Sequence, residues 1–174
     1  HEAVEAFGPA MLLEKLVERA ALLVRRRAAE LPHVEAVVDA EAIDGGELHT
    51  FEYNKEHAEI AKEVITAYEG PSKINLHQGD ARQALASIES EAPFDFVFID
   101  HWKEAYLTDL KLLIENNCLN DGAIIFADNI VLFHLEDYLE FVRTNPNFES
   151  KFIPTLREYS SSHPDGIEVS YFRK

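Results

Sequence analysis

Cysteine occurs once in the sequence, at Cys118, so no intrachain disulfide can form. That fits a reducing compartment, and the thiol reads as a small, half-buried side chain. No apolar run approaches the ~18 residues of a membrane span. The His1-Glu2 start shows no basic region ahead of an apolar stretch, as a secretory signal would. The expectation is a cytoplasmic chain with no membrane segment. Cations are scarce as well: 16 Lys and Arg stand against 32 Asp and Glu, a net charge of −16. Nucleic-acid binders neutralise phosphate with Lys and Arg, so this balance argues against that class. The one basic cluster, Arg25-Arg26-Arg27, lies in a helical pattern among acids and reads as a solvated helix face. An acidic protein accepts neutral or cationic small molecules and divalent metals.

What is present is a core. Hydrophobic residues make up 47% of the 174, enough for one domain. Leu12, Leu13, Leu16, Val17, Ala20, Leu23 and Val24 repeat at helical spacing within Ala10–Leu31, and Pro32 stops that helix. Val34–Val38 is a strand candidate, followed by the turn residues Asp44-Gly45-Gly46. Further strands are expected at Leu48–Tyr53, Ile74–Gln78, Phe94–Ile99, Ala123–Ala127, Phe148–Leu156 and Ile167–Phe172. Helices are expected at Lys55–Tyr68, at Asp80–Ser87, after Phe94–Ile99 to about Asn116, and at Leu135–Arg143. Asn120-Asp121-Gly122 reads as a turn, and so does Ser160–Gly166. Strands alternating with helices predict an α/β fold: a mostly parallel sheet with helices on both faces. The last two strands are close enough to form an antiparallel pair. No repeat, low-complexity tract or linker interrupts the chain, so one domain over 1–174 is expected.

Open α/β sheets bind ligands beyond the carboxyl ends of their strands. The residues there are Glu52, Gly79-Asp80-Ala81, Asp100-His101-Trp102-Lys103, Asp128-Asn129 and Glu158. Asp100, Asp128 and Asn129 offer oxygen ligands only, which suit Mg²⁺ with room for water. A single Asp at a strand end is ordinarily a cap; two neighbouring strand ends carrying Asp100 and Asp128-Asn129 shift the balance towards a metal. Glu52 stands where nucleotide-binding α/β folds place an acid for ribose hydroxyls. Trp102 is either core filler or a wall for an adenine ring. Lys103 is either a surface lysine or, beside a divalent cation that disfavours its charge, a base.

Several segments resemble the catechol O-methyltransferases. Phe98-Ile99-Asp100-His101-Trp102-Lys103, with Tyr106-Leu107 and Asp109, is similar to that family's signature. Ile125-Phe126-Ala127-Asp128-Asn129-Ile130 resembles its second metal segment, and Phe51-Glu52-Tyr53-Asn54 its ribose-binding segment. Leu156-Arg157-Glu158-Tyr159 with Asp165-Gly166-Ile167-Glu168 resembles its C-terminal stretch, with one extra residue between the two parts. The resemblance covers roughly residues 46–174, with 1–45 as an atypical N-terminal region. It implies a Rossmann-like methyltransferase sheet and a reaction dependent on S-adenosylmethionine and Mg²⁺, in which one hydroxyl of an ortho-diphenol is methylated. By position, Asp100, Asp128 and Asn129 would hold the metal. Lys103 would take the proton and Glu158 would hold the second hydroxyl. Glu52 would bind the cofactor ribose, His101 and Trp102 would line its adenine, and Tyr53 and Asp80-Ala81 would lie nearby.

One departure is plain. The family carries a glycine-rich loop after its first strand, whose glycines let the backbone approach the cofactor. Here Val38 is followed by no glycine until Gly45-Gly46, and only nine residues, Asp39 to Glu47, separate it from Leu48. A parallel crossover needs a dozen or more. The first βα unit is therefore atypical or incomplete. Either a segment is missing between Glu41 and Ala42, or the unit is lost, or the N-terminal region is rebuilt around the Ala10–Leu31 helix. A degenerate cofactor site would make the chain a non-catalytic binding or structural module, the alternative to an enzyme.

Overall fold

The computed structural model describes residues 46–87, 93–157 and 162–174. The expected helix Ala10–Leu31, the strand Val34–Val38 and the stretch that follows it lie outside the described residues, as do Glu158 and Tyr159. The chain divides into two compact units, residues 1–81 and 82–174.

In the first unit, β1 (Glu47–Glu52) and β2 (Lys73–Gln78) pair in parallel, from Glu47 opposite Lys73 to Glu52 opposite Gln78. The connection runs through α1 (Lys55–Thr66). Asn54 starts this helix: its Oδ1 accepts from the backbone N–H groups of Glu56 (2.8 Å) and His57 (3.3 Å), satisfying donors that a helix leaves unpaired at its first turn. Ala58 and Ala61 are its buried positions, small enough to bring the helix close to β2. Gly79 ends β2 with φ +121°, a backbone state that side chains of L-residues rarely adopt.

After α2 (Ala81–Ser87), the second unit is built on four strands in the order β3-β4-β6-β5: β3 (Phe94–Ile99), β4 (Leu119–Ala127), β5 (Phe148–Leu156) and β6 (Pro164–Phe172). β3 and β4 are parallel, while β6 runs antiparallel to both β4 and β5. The expected combination of parallel strands with an antiparallel C-terminal pair is what forms. Pro154 sits on β5, an edge of this sheet, where a missing N–H is tolerated.

A 3₁₀ turn (Lys103–Ala105) leads from β3 into α3 (Tyr106–Glu115). Tyr106, Asp109, Leu110 and Leu113 are buried, at the i, i+3, i+4, i+7 spacing of one helix face. α4 (Glu136–Thr144) buries Tyr138 and Val142, and the Tyr106 and Tyr138 rings meet edge-on at 5.9 Å. In β4 every residue from Ala123 to Ala127 is buried, as the apolar run requires. Cys118 is fully buried, deeper than its half-buried reading.

Asn120-Asp121-Gly122 departs from its reading as a turn. β4 begins at Leu119, and the ladder with β3 steps from Phe94–Leu119 to Phe96–Ile124. The three residues are an irregular excursion within the strand. Asn120 Nδ2 donates to Pro93 O (3.0 Å) and Asp95 Oδ1 (2.7 Å), and Gly122 takes φ +83°. Turn chemistry is the same chemistry a bulge uses. Among the described residues no helix is long and apolar enough to cross a membrane.

Candidate active site

Parallel pairing sets which strand ends are neighbours. Ile99 lies opposite Ala127, so Asp100 and Asp128 leave β3 and β4 side by side. The Asp128 N–H donates to Ile99 O at 3.1 Å, tying the two exits together. Lys103, one turn after Asp100, reaches back into this corner. Its Nζ donates to Asp100 Oδ1 (2.7 Å), Tyr106 OH (2.7 Å) and Asn129 Oδ1 (2.9 Å). All three ammonium hydrogens thus have an acceptor, and the Lys103 side chain is only 15% exposed. It also lies over the Phe133 ring, 5.3 Å from its centre. Lys103 is therefore no ordinary surface lysine.

Asp128 is half-buried, and burial pushes its carboxyl up to about 6. The Asn129 N–H, 2.7 Å from Asp128 Oδ1, pulls the other way; the charges of Asp100 and Asp165 push it further up, and Lys103 lowers it. Tyr106 OH donates to Asp128 O at 3.2 Å. Burial, followed by the charges of Asp100 and Asp128, raises the Tyr106 phenol well above its ordinary value, so it stays a neutral donor.

The oxygens of Asp100 and Asn129 converge on one cation, the Lys103 ammonium. Oxygen-only donors gathered around a positive charge are what Mg²⁺ requires, so the residues present fit the metal. Among the described residues no three His, Cys, Asp or Glu side chains form a metal cluster; the third donor in this set is the Asn129 amide.

His101 points elsewhere. Its Nε2 pairs with Asp109 Oδ2 at 2.7 Å, and Asp109 is buried on α3. Trp102 is 70% exposed, which removes it from the core and leaves its indole face open.

Glu52, Tyr53, Asp80 and Ala81 belong to the first unit. Glu52 lies at the end of β1, beside the Gln78–Gly79 exit of β2, and its backbone carbonyl accepts from the Gly79 N–H at 2.9 Å. Glu52 Oε1 accepts from the Asn54 N–H at 2.7 Å, and Oε2 is 3.9 Å from His57 Nδ1. Tyr53 is 80% exposed. Asp80 and Ala81 follow Gly79, where a side chain would meet nothing within 4 Å. A carboxylate beside open backbone suits a ribose diol. Glu158, the expected partner of the second hydroxyl, lies outside the described residues.

Two residues at the site had no role assigned from sequence. Tyr106 supports Lys103, and the i, i+3 spacing at the head of a helix was the available signal. Asp165 opens β6 and reaches Asn129 (3.2 Å); nothing in a linear sequence shows that β6 begins beside the end of β4.

A family profile described as O-methyltransferase matches residues 35–137, more than half of the chain. The chain belongs to this O-methyltransferase family. Catechol O-methyltransferase B of Danio rerio is 34% identical over 131 residues, 74% of this chain and 49% of that protein. Catechol O-methyltransferase of Bos taurus is 32% identical over 134 residues, 75% of this chain and 49% of the relative. The chain thus spans about half the length of these curated relatives. Among solved structures, an O-methyltransferase from Bacillus cereus in complex with SAH superposes with a TM-score of 0.64 at 19% identity, covering 98% of this chain and 94% of that one. TomG, the O-methyltransferase of Streptomyces achromogenes involved in tomaymycin synthesis, solved with SAM, gives 0.66 at 16% identity, covering 98% and 93%. At these identities the likeness establishes the fold.

Proposed function

We propose that the chain transfers a methyl group from S-adenosylmethionine to one hydroxyl of a catechol-type ortho-diphenol, with Mg²⁺ held by Asp100, Asp128 and Asn129. The observation that carries this reading is the meeting of Asp100 Oδ1 and Asn129 Oδ1 at Lys103 Nζ, beyond two paired parallel strands. Carboxylate and amide oxygens and an amine within one hydrogen-bond length of each other support that reading. The names of the curated relatives point to the same substrate class.

When bound, the metal supplies a Lewis acid that makes a coordinated phenol easier to ionise. The chain's residues do the rest. Lys103 would be the residue that takes the phenolic proton. Tyr106 braces Lys103 and keeps its own proton. When bound, S-adenosylmethionine would supply an electrophilic methyl group to the phenolate oxygen and would leave as a neutral thioether. By the resemblance, Glu158 would hold the second hydroxyl, Glu52 would hold the ribose hydroxyls, and His101 and Trp102 would line the adenine, with Tyr53, Asp80 and Ala81 nearby. Orientation supplies much of the rate. The partner is a small diphenol; the net charge of −16 disfavours a nucleic acid.

A second reading has one observation behind it: no glycine follows Val38 before Gly45. On that reading the cofactor site is degenerate and the chain is a binding or structural module. Calorimetric titration of S-adenosylmethionine into the purified chain separates the two. The enzyme reading expects saturable micromolar binding, weakened at least tenfold in Glu52→Ala through loss of the ribose contacts. No heat at millimolar cofactor would favour the module.

A further inference from the structure

Asn129 is the least obvious member of the cation site, because an amide presents a ligand oxygen on one side and a repelling NH₂ on the other. Its backbone is left-handed, φ +56°, at the exit of β4. The two ends of its side chain face opposite partners. Oδ1 accepts from Lys103 Nζ at 2.9 Å, and Nδ2 donates to Asp165 Oδ2 at 3.2 Å. An ammonium has no lone pair to offer, and a carboxylate has no hydrogen. The orientation of the amide is therefore set by chemistry at both ends.

Asp165 is itself held firmly. It is 3% exposed, and its other oxygen, Oδ1, accepts from the backbone N–H groups of Gly166 (2.8 Å), Leu132 (3.2 Å) and Val131 (3.3 Å). Two main-chain donors from the turn after Asn129, with the Gly166 N–H from β6, lock one carboxylate oxygen and leave the second to meet Asn129 Nδ2. We infer that Asp165 is a positioning residue of the cation site, fixing the amide of Asn129 so that Oδ1, not Nδ2, is presented to the cation. This rests on the proposal that Asn129 is a metal ligand.

The isosteric change Asp165→Asn makes a specific prediction. An asparagine at 165 keeps its oxygen on the three backbone N–H groups and turns its NH₂ towards Asn129. Asn129 must then rotate its amide to accept that hydrogen bond, which aims its own NH₂ at the cation. The fold survives and the metal site loses an oxygen. Changing Asn129 to Asp in the same molecule restores the pairing, because a carboxylate accepts from the new NH₂ and still offers an oxygen to the cation. Asn129→Asp alone sets two carboxylates against each other.

The test is calorimetric titration of Mg²⁺ into the wild-type chain, Asp165→Asn, Asn129→Asp and the double variant, with melting temperatures for all four. Binding of S-adenosylmethionine without metal serves as the control for global damage. The expected result is a Kd for Mg²⁺ weakened about tenfold or more in Asp165→Asn, with cofactor binding retained. The double variant should recover wild-type affinity, and should recover the melting temperature lost in Asn129→Asp, a non-additivity that a residue acting on stability alone would not produce. Wild-type affinity in Asp165→Asn would overturn the inference, as would a double variant no better than Asp165→Asn. If Asp165→Asn fails to fold, the double variant decides: folded with restored affinity it supports the inference, and unfolded it overturns it. A wild-type chain that does not bind Mg²⁺ would remove the metal reading, and this inference with it; that outcome is read from the wild type alone.

Discussion

Asp128 holds its proton to unusually high pH for a carboxylic acid, since burial pushes its pKa up to about 6. Two consequences follow with opposite readouts. A divalent cation needs the ionised carboxylate, so Mg²⁺ affinity should fall as pH drops through about 6 and be full above it. Stability runs the other way. The folded state binds this proton more tightly than the unfolded chain, whose carboxyl titrates near the ordinary value of about 3.9. Between about 3.9 and 6 the folded form carries the extra proton, so this group's contribution to stability falls as pH rises through that window. Titrating Mg²⁺ by calorimetry at pH 5, 6 and 7.5 checks the first point. Equal affinity at all three would contradict the assignment of Asp128 as a ligand. At this scale much of the site was legible in the sequence. Asp100, Asp128 and Asn129 follow apolar runs directly, so a strand assignment alone puts them at one edge. Lys103 was legible as a choice between surface and base, and its three hydrogen bonds decide against the surface. Tyr106 and Asp165 were not legible in role, because their work depends on contacts that join α3 to β4 and β6 to the β4 exit.

Two features at the level of the elements should be measurable when removed. Glu168 on β6 is fully buried, and Arg143 on α4 meets it with two parallel hydrogen bonds of 2.7 Å, Nε to Oε1 and Nη2 to Oε2. Arg143→Ala leaves a buried carboxylate without a partner and should cost about 3 kcal/mol or more in chemical denaturation; a loss below about 1 kcal/mol would show that water replaces the arginine. Gly79 ends β2 at φ +121°, beside the Glu52 carbonyl that its N–H pairs with. Space is free there, but the backbone conformation is not, so Gly79→Ala should destabilise by about 1–3 kcal/mol through strain alone. An unchanged midpoint would mean that the turn relaxes. Element order was the most legible part of the fold, since apolar runs and helical spacing report burial directly. Boundaries were less so. Asn120-Asp121-Gly122 has the composition of a turn, yet cross-strand bonds from Asn120 hold it inside β4 as an irregularity. Ser160–Gly166 read as a turn, and β6 already begins at Pro164, paired with Leu156.

At the scale of the whole molecule, charge and family set the frame. A net charge of −16 concentrates divalent cations near the surface and repels polyanions, which agrees with the metal-assisted reaction proposed above. The O-methyltransferase profile spans residues 35–137. It therefore includes the atypical stretch after Val38, the one place where the sequence lacks what the family's cofactor loop would supply. The measurement that tests the whole account is transfer of an isotopically labelled methyl group from S-adenosylmethionine to catechol, followed by mass spectrometry of the product, with Mg²⁺ and with chelator. The account predicts a singly methylated catechol that forms with Mg²⁺, disappears with chelator, and falls by at least about a hundredfold in Lys103→Ala through loss of the base. No labelled product from a chain that binds the cofactor, or product formation undiminished by chelator, would contradict it.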